Sequence, residues 1–223
     1  MFFRQVIIVC IIAFYLFLGY DSLFPQKTYV YEEITKENHN QITYTVENHP
    51  KAIIVKCKTK DHVITSETTN DFLLKSCALK SKKEDFSYQL QRDHNILSLE
   101  AFINGKFVKK QYCVNNDLWV QDFTFDLKPF IMNANEKKIH FFAINPQNLS
   151  LDKMIAKKEN VEKIHVNGQD FDAQKVYLSY AGLKSMLWHA TAWFDTANSK
   201  LIMYKCDDGP NSPILTQITL QKN

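Results

Sequence analysis

The chain has 223 residues and a mass of 26.1 kDa; 45% of its residues are hydrophobic and 23% are charged. These values indicate one medium-sized globular domain and exclude a wholly disordered chain. The formal net charge is only +3, and of the 27 basic Lys and Arg residues only Arg4 and Arg92 are arginine. Because arginine is the preferred side chain for phosphate and base edges, the composition argues against nucleic acid as a partner.

The first predicted element is an apolar segment at the N-terminus. Residues 6–18 contain no charge, and Arg4 precedes them. This layout is typical of an export signal, so residues 1–20 are predicted to be a retained signal anchor or a cleaved signal peptide. The anchor is favoured, because the small residues that precede a cleavage site are missing. Arg4 would then stay in the cytoplasm, residues 2–20 would cross the membrane, and residues 21–223 would form a single exported β domain in the periplasm.

The remainder of the chain is dominated by alternation of apolar and polar residues with a period of two. The clearest runs are residues 41–47, 53–58, 86–91 and 97–103. This period predicts strands with one buried and one wetter face, and therefore an antiparallel sheet. Because no long amphipathic helix is evident, a parallel α/β sheet is disfavoured. The predicted fold is mainly β: one large curved antiparallel sheet, a half-barrel or open barrel, with one or two short helices after an N-terminal membrane helix.

Two Asn-Gly pairs give the most specific turn signals, because a two-residue hairpin turn needs positive φ at both central positions. They predict that Leu97–Ile103 folds back on Lys106–Cys113 and that Lys163–Val166 folds back on Gln169–Tyr177.

Helical signals are sparse along the chain. Leu151, Met154 and Ile155 repeat at helical spacing, so residues 151–158 are predicted to be either a short helix or a pair of strands. A single helical turn is predicted over residues 181–186.

The body of the chain contains an even number of cysteines, namely Cys57, Cys77, Cys113 and Cys206. An exported domain permits disulfides, and Cys57 with Cys77 is the first choice for a bridge. Four free thiols that behave as small apolar side chains are an equally good interpretation.

Motifs of catalysis and metal binding are few. The chain lacks the GxSxG nucleophile elbow and the HExxH zinc motif, and neither a metal site nor a cofactor is predicted. A hydrolase-type enzyme would have to use Asp170 with Asp172, or His189. Since Asp is also a common turn residue, the sequence favours a protein that is not an enzyme.

Aromatic residues make up 13% of the chain and suggest a binding surface. Trp188, Ala190, Ala192 and Phe194 fall on one face of a predicted strand. Such a face could line the concave side of a curved sheet and hold an apolar ligand, or it could simply fill the core. The residues predicted to bind the ligand are Phe123, Phe125, Phe141, Trp188, Phe194 and Tyr204.

The C-terminal third contains three motifs in a fixed order: VNGQDFDAQKV at 166–176, WHATAWFD at 188–195 and KLIMYK at 200–205. They resemble a family of uncharacterised bacterial envelope proteins that is catalogued as a domain of unknown function, and residues 118–154 are similar to its middle part. Such families resemble the curved half-barrels of periplasmic lipoprotein carriers. The resemblance implies an envelope location and a lipid-type cargo, and it supplies no catalytic residue.

The sequence therefore predicts an exported envelope protein, tethered to the membrane through residues 2–20, that binds a lipid-type apolar ligand without catalysis. The alternative is a structural or assembly module that binds another envelope protein through an edge of its sheet.

Overall fold

A computed structural model describes residues 25–36, 38–82, 85–115, 117–146, 148–207 and 214–221. The N-terminal helix predicted within residues 1–20 lies outside these ranges. Across the described part of the chain, no helix is long and apolar enough to cross a membrane.

The architecture is one open, curved sheet of fifteen strands. Its spatial order is β8-β7-β6-β5-β4-β3-β2-β1-β15-β14-β13-β12-β11-β10-β9, and every neighbouring pair is antiparallel except β9 with β10. The mainly β, antiparallel fold predicted from the alternation is thus confirmed. The strands are β1 (Gln26–Thr35), β2 (His39–His49), β3 (Ala52–Lys58), β4 (His62–Thr68), β5 (Leu74–Ser81), β6 (Phe86–Asp93), β7 (Ile96–Ile103), β8 (Lys106–Cys113), β9 (Leu118–Trp119), β10 (Lys138–Ile144), β11 (Leu151–Val166), β12 (Gln169–Tyr180), β13 (His189–Asp195), β14 (Leu201–Asp207) and β15 (Ile214–Leu220).

Both predicted Asn-Gly hairpins are present. Asn104 and Gly105 have φ of 49° and 75° between β7 and β8, and Asn167 and Gly168 have φ of 50° and 79° between β11 and β12. Two successive left-handed residues give the turn a twist that matches the twist of the strands it joins. The turn chemistry therefore fixes the register of these two strand pairs.

The helix considered for residues 151–158 is not formed; these residues belong to strand β11. Their burial alternates with the strand period, since Asp152, Met154 and Ala156 are buried while Lys153 and Lys157 are exposed. Pairing with β10 on one side and β12 on the other outweighs the weak helical spacing.

Two short helical elements complete the described fold: α1 (Lys128–Met132) and a 3₁₀ helix, η1 (Gly182–Met186). The second confirms the turn predicted over residues 181–186. Residues 120–132, which end in α1, are here named the crossing segment, because their apolar side chains pack against the inner face of the sheet. Val120, Leu127 and Phe130 are at most 2% exposed and share one core cluster with β1–β3 and β10–β15.

The two halves of the sheet meet at its centre, where β1 pairs with β15 from Tyr31↔Leu220 to Thr35↔Thr216. Tyr31 reinforces this junction, because its hydroxyl donates a hydrogen bond to the carbonyl oxygen of Leu201 over 3.1 Å. A ladder between residues almost 190 positions apart thus holds the meander β1–β8 against the meander β9–β15.

The proposed Cys57–Cys77 bridge is wrong, because both cysteines are free thiols. Cys57 lies on β3 and Cys77 on β5, with β4 between them. Two strand spacings put their Cα atoms about 9–10 Å apart or more, whereas a disulfide needs less than about 7 Å. The free-thiol alternative holds for Cys57 and Cys77, while Cys113 is exposed and Cys206 is half-buried.

Candidate ligand-binding cavity

A cavity of about 390 Å³ lies between the crossing segment and the inner face of the sheet; it is here named the central cavity. Strands β1–β4, β14 and β15 and residues 121–124 form its walls. The lining is mostly apolar, with polar side chains among it. The apolar set is Ile42, Tyr44, Cys57, Ile64, Phe123, Leu201, Tyr204 and Ile218, and the polar set includes Glu33, Asn40, Lys60, Asp61 and His62.

Four aromatic side chains meet beside this cavity, with Phe123 of the crossing segment in the middle. The Phe123 ring centroid lies 6.1 Å from that of Phe141, 6.2 Å from that of Trp188 and 6.4 Å from that of Tyr204. These four residues are here named the aromatic cluster. Because the packed rings stabilise each other, they hold Phe123 and Tyr204 in place as one wall of the cavity.

The structure thus brings together four of the six residues predicted to bind the ligand, and places two elsewhere. Phe194 is fully buried in the core and is not among the residues that line the central cavity. Phe125 packs against Tyr29 and Tyr44, with ring centroids 6.0 Å and 5.2 Å away, on the far side of the crossing segment.

Several polar groups in or beside the central cavity are uncharged. The Trp188 indole N–H donates to the Sγ atom of Cys206 over 2.8 Å. Burial raises the pKa of Tyr204, and burial likewise raises the pKa of the Cys57 thiol to about 12. Neither group carries a charge near neutral pH, so this part of the wall suits an uncharged, apolar occupant.

Two carboxylates lie close together in the crossing segment. Asp126 is 1% exposed, and its Oδ2 atom accepts hydrogen bonds of 2.8 Å from the backbone N–H groups of Gln121 and Asp122. Burial, with the nearby charge of Asp122, raises the pKa of Asp126 to about 7. Burial also raises the pKa of Asp122, whose Oδ1 atom accepts the N–H of Thr124 over 2.8 Å.

Asp122 lines the central cavity beside two hydroxyl groups. The Thr124 hydroxyl donates to the Tyr44 hydroxyl over 3.2 Å, and burial holds the pKa of Tyr44 well above its ordinary value. Asp122, Thr124 and Tyr44 thus form one polar patch on an otherwise apolar wall, which could accept a hydrogen bond from a ligand hydroxyl or amide.

The residues considered for catalysis are not brought together. Asp170 is exposed and pairs with His165 over 2.7 Å near the tip of the β11–β12 hairpin. The ring of His189 stacks on that of Tyr177, with the ring centroids 5.7 Å apart. In the sheet, His189 of β13 lies opposite Ser179 of β12, and Ser179 is seven residues from Asp172 along β12. At about 3.3 Å a residue, His189 and Asp172 are separated by roughly 20 Å. A site built on these three side chains is therefore excluded by their positions.

Five further residues line the central cavity, although nothing in the sequence singled them out for ligand binding: Ile42, Tyr44, Cys57, Ile64 and Ile218. Alternation identified Ile42 and Tyr44 as facing inward. It gave no indication that β2, β4 and β15 lie opposite the crossing segment, because that depends on the strand order of the whole sheet.

No protein-family model matches the chain, and a search of curated proteins finds no match. Solved structures do match it. The crystal structure of a beta-barrel-like protein of the domain of unknown function DUF1849 from Brucella abortus has a TM-score of 0.61 and 8% identity, covering 90% of this chain and 97% of that one. At this identity the likeness establishes the fold alone. It confirms the half-barrel resemblance that the C-terminal motifs indicated.

Two further solved structures cover most of the chain at lower similarity. A putative outer membrane lipoprotein-sorting protein domain from Vibrio parahaemolyticus has a TM-score of 0.31 and 8% identity, covering 88% of this chain and 83% of that one. A DUF1329 family protein from Desulfovibrio piger has a TM-score of 0.26 and 7% identity, covering 93% and 88% respectively.

Proposed function

We propose that the protein is an exported, membrane-tethered envelope protein that binds an apolar, lipid-type ligand in the central cavity and catalyses no reaction. The observation that carries this proposal is the cavity of about 390 Å³ with a mostly apolar lining. Ligand pockets generally have volumes of about 300–1,000 Å³ and are lined mainly by hydrophobic side chains. The apolar segment 6–18 after Arg4 supports export and tethering.

Binding of a fluorescent fatty acid, cis-parinaric acid, to the full-length chain tests this proposal. An Ile218→Trp variant would fill the cavity, because Ile218 lines it. We expect saturable binding to the wild type and an affinity at least about tenfold lower in the variant, since overfilling a packed site excludes its occupant. Native mass spectrometry of the chain purified from a lipid-containing host would then show which lipid it retains.

The matched control is Ile54→Trp, the same chemical change on β3. Ile54 alternates with the buried residues Ile53 and Val55, so it faces the outside of the sheet. Its substitution should leave probe binding unchanged. Failure of the wild type to bind the probe, or equal binding by Ile218→Trp, would contradict ligand carriage.

A second candidate function is that of an assembly module that pairs with another envelope protein through a sheet edge. The observation that favours it is strand β8, which pairs only with β7 within the described part of the chain. Phe107 of β8 is 60% exposed, and its cross-strand partner Phe102 is 39% exposed. An unpaired strand with exposed aromatic side chains is a template for strand addition.

Photo-crosslinking in cells separates the two functions. A crosslinking residue in place of Phe107 should give one dominant protein adduct if β8 is a docking edge, whereas the same residue in place of Lys163 on β11 serves as the control. Absence of a Phe107-specific adduct would exclude the assembly module.

A further inference from the structure

A second cavity, of about 300 Å³, lies on the other side of Thr124 and Leu201, which line both cavities. Among the described residues, its charged lining consists of three lysines and includes no carboxylate. It is here named the basic cavity, and its walls are Lys27, Tyr29, Tyr31, Thr124, Phe125, Lys128, Asn198, Ser199, Lys200 and Leu201.

Three separate elements supply the lysines. Lys27 lies at the start of β1, Lys128 is the first residue of α1, and Lys200 directly precedes β14. The lysine ion pairs found within the described ranges involve other lysines, so none of these three has a carboxylate oxygen within 4 Å there. The fold therefore brings three uncompensated positive charges to one concave surface.

Two of the ammonium groups lie close to aromatic rings, one of which, Tyr29, lines the cavity. The Nζ atom of Lys128 lies 4.2 Å from the centroid of the Phe72 ring, and that of Lys200 lies 5.9 Å from the centroid of the Tyr29 ring. Burial, with the nearby charge of Lys27, lowers the pKa of Lys128. An anion between the ammonium groups would favour the charged form of Lys128, because it supplies the nearby negative charge that these lysines lack.

A neutral donor is also available at this site. Ser199 is 8% exposed, and its hydroxyl makes no hydrogen bond to the described residues. The amide of neighbouring Asn198 is already engaged, since its Nδ2 atom donates to Asp195 Oδ2 over 2.7 Å. Three ammonium groups and a hydroxyl can each donate hydrogen bonds, which is the complement that a phosphate oxygen requires.

We propose that the basic cavity binds a phosphate-type anion, either free phosphate or the phosphate of a lipid headgroup. Its volume is roughly that of ten water molecules in the liquid, which leaves room for a substituent on the phosphate. The site is distinct from the central cavity, and the proposal stands whether or not an apolar ligand occupies that cavity.

Calorimetric titration of the full-length chain with two soluble probes tests the proposal and identifies the source of the anion. Inorganic phosphate represents the free ion, and glycerophosphoglycerol represents a phospholipid headgroup without its acyl chains. We expect saturable binding of at least one probe. Preference for the phosphodiester would indicate a lipid headgroup, and preference for inorganic phosphate would indicate the free ion.

The triple variant Lys27→Gln, Lys128→Gln, Lys200→Gln should bind the preferred probe at least about tenfold more weakly, because it loses three charge-assisted contacts. The control triple variant Lys51→Gln, Lys75→Gln, Lys163→Gln has the same net charge but changes exposed lysines outside the cavity. Its affinity should equal that of the wild type.

A single Lys27→Gln variant keeps the test valid if the triple variant does not fold, because Lys27 is exposed and its loss should leave the core intact. It should weaken binding about fivefold through the loss of one charged contact. Failure of both probes to bind the wild type would overturn the proposal, as would equal weakening by the control triple variant. Neither result bears on cis-parinaric acid binding in the central cavity.

Discussion

At the residue scale, the Asp126 carboxylate has an unusual environment. Its Oδ1 atom is buried and has no hydrogen-bond partner among the described residues, while its Oδ2 atom accepts two backbone N–H groups. A protonated carboxyl is less costly to bury than a charged one, which explains why the pKa of Asp126 is raised to about 7. The folded chain therefore binds a proton here that the unfolded chain, with an ordinary Asp pKa near 3.9, releases.

This difference predicts how stability changes with pH. The stabilisation of the folded chain by protonated Asp126 is fully present below about pH 4 and is lost as the pH rises through about 7. The free energy of unfolding should fall by up to about 4 kcal/mol over this interval. Asp126→Asn should remove most of this dependence and be more stable than the wild type at pH 8.

Urea denaturation at intervals between pH 4.5 and 8 measures this effect, with exposed Asp71→Asn as the control. A loss of stability at pH 8 in Asp126→Asn would show that the folded chain depends on the charged carboxylate.

The four described thiols should differ sharply in reactivity. Cys113 is exposed, whereas Cys57 and Cys77 are buried and burial raises the pKa of each to about 12. Because the thiolate is the reactive form, Cys113 should react first with a thiol reagent at pH 8, and Cys57 and Cys77 only on unfolding. Mass spectrometry of time-resolved alkylation would identify the order. Early modification of Cys57 would contradict the packing described for β3.

At the element scale, the side chains of strand β13 pack differently on the two faces of the sheet. Ala190, Ala192 and Phe194 face the core and are at most 2% exposed. Trp193 packs on the opposite face, where its indole N–H donates to Glu162 Oε1 over 2.6 Å. The register shift opposite Trp193 and Phe194 skips Ile202 of β14, which lets the successive residues Leu201 and Ile202 both be buried.

Two substitutions near this strand should have different effects. Phe194→Ala should lower the free energy of unfolding by about 3–5 kcal/mol, because it leaves a cavity in a closed core. Trp188→Ala should cost less, because Trp188 is half-buried, but it should weaken cis-parinaric acid binding by removing support for Phe123. Chemical denaturation and probe titration on both variants measure the contrast. Equal stability losses would indicate that the aromatic cluster is simply part of the core.

The elements that could be predicted from the sequence are those fixed by local chemistry. The two Asn-Gly hairpins needed only adjacent residues with positive φ, and the alternation in β2 and β7 needed only a buried face. Residues 151–158 were ambiguous, because three apolar residues at helical spacing cannot reveal that strands pair on both sides. The crossing segment alternates polar and apolar residues from Asp122 to Leu127 as a strand would, yet it forms no strand, and no local pattern reveals that it covers the sheet.

At the scale of the whole molecule, the decisive feature is the place of β15 between β14 and β1. The pairing of β1 with β15 could not be predicted, because no local pattern specifies a partner almost 190 residues away. The candidate site was only partly predictable for the same reason. Phe123, Phe141, Trp188 and Tyr204 were identified from composition, but the opposing wall belongs to strands that come near them only in the assembled sheet.

Truncation tests the role of β15 directly. A chain that ends at residue 213 lacks this strand, which leaves unpaired edges on β1 and β14 in the middle of the sheet. We expect loss of the cooperative unfolding transition and aggregation, because two exposed strand edges replace a buried ladder. A chain that ends at residue 221 retains β15 and serves as the control. Circular dichroism during thermal unfolding distinguishes the two chains, and a cooperative transition in the shorter one would show that the halves fold independently.

Synthesis from the N-terminus imposes an order on assembly, because the strand that joins the two meanders is made after the other fourteen described strands. A growing chain can form the β2–β8 hairpins early, yet β1 must wait for its second neighbour until β15 has been made. Folds dominated by such distant pairings mature in milliseconds to seconds. The central ladder therefore cannot form before β15 has been synthesised.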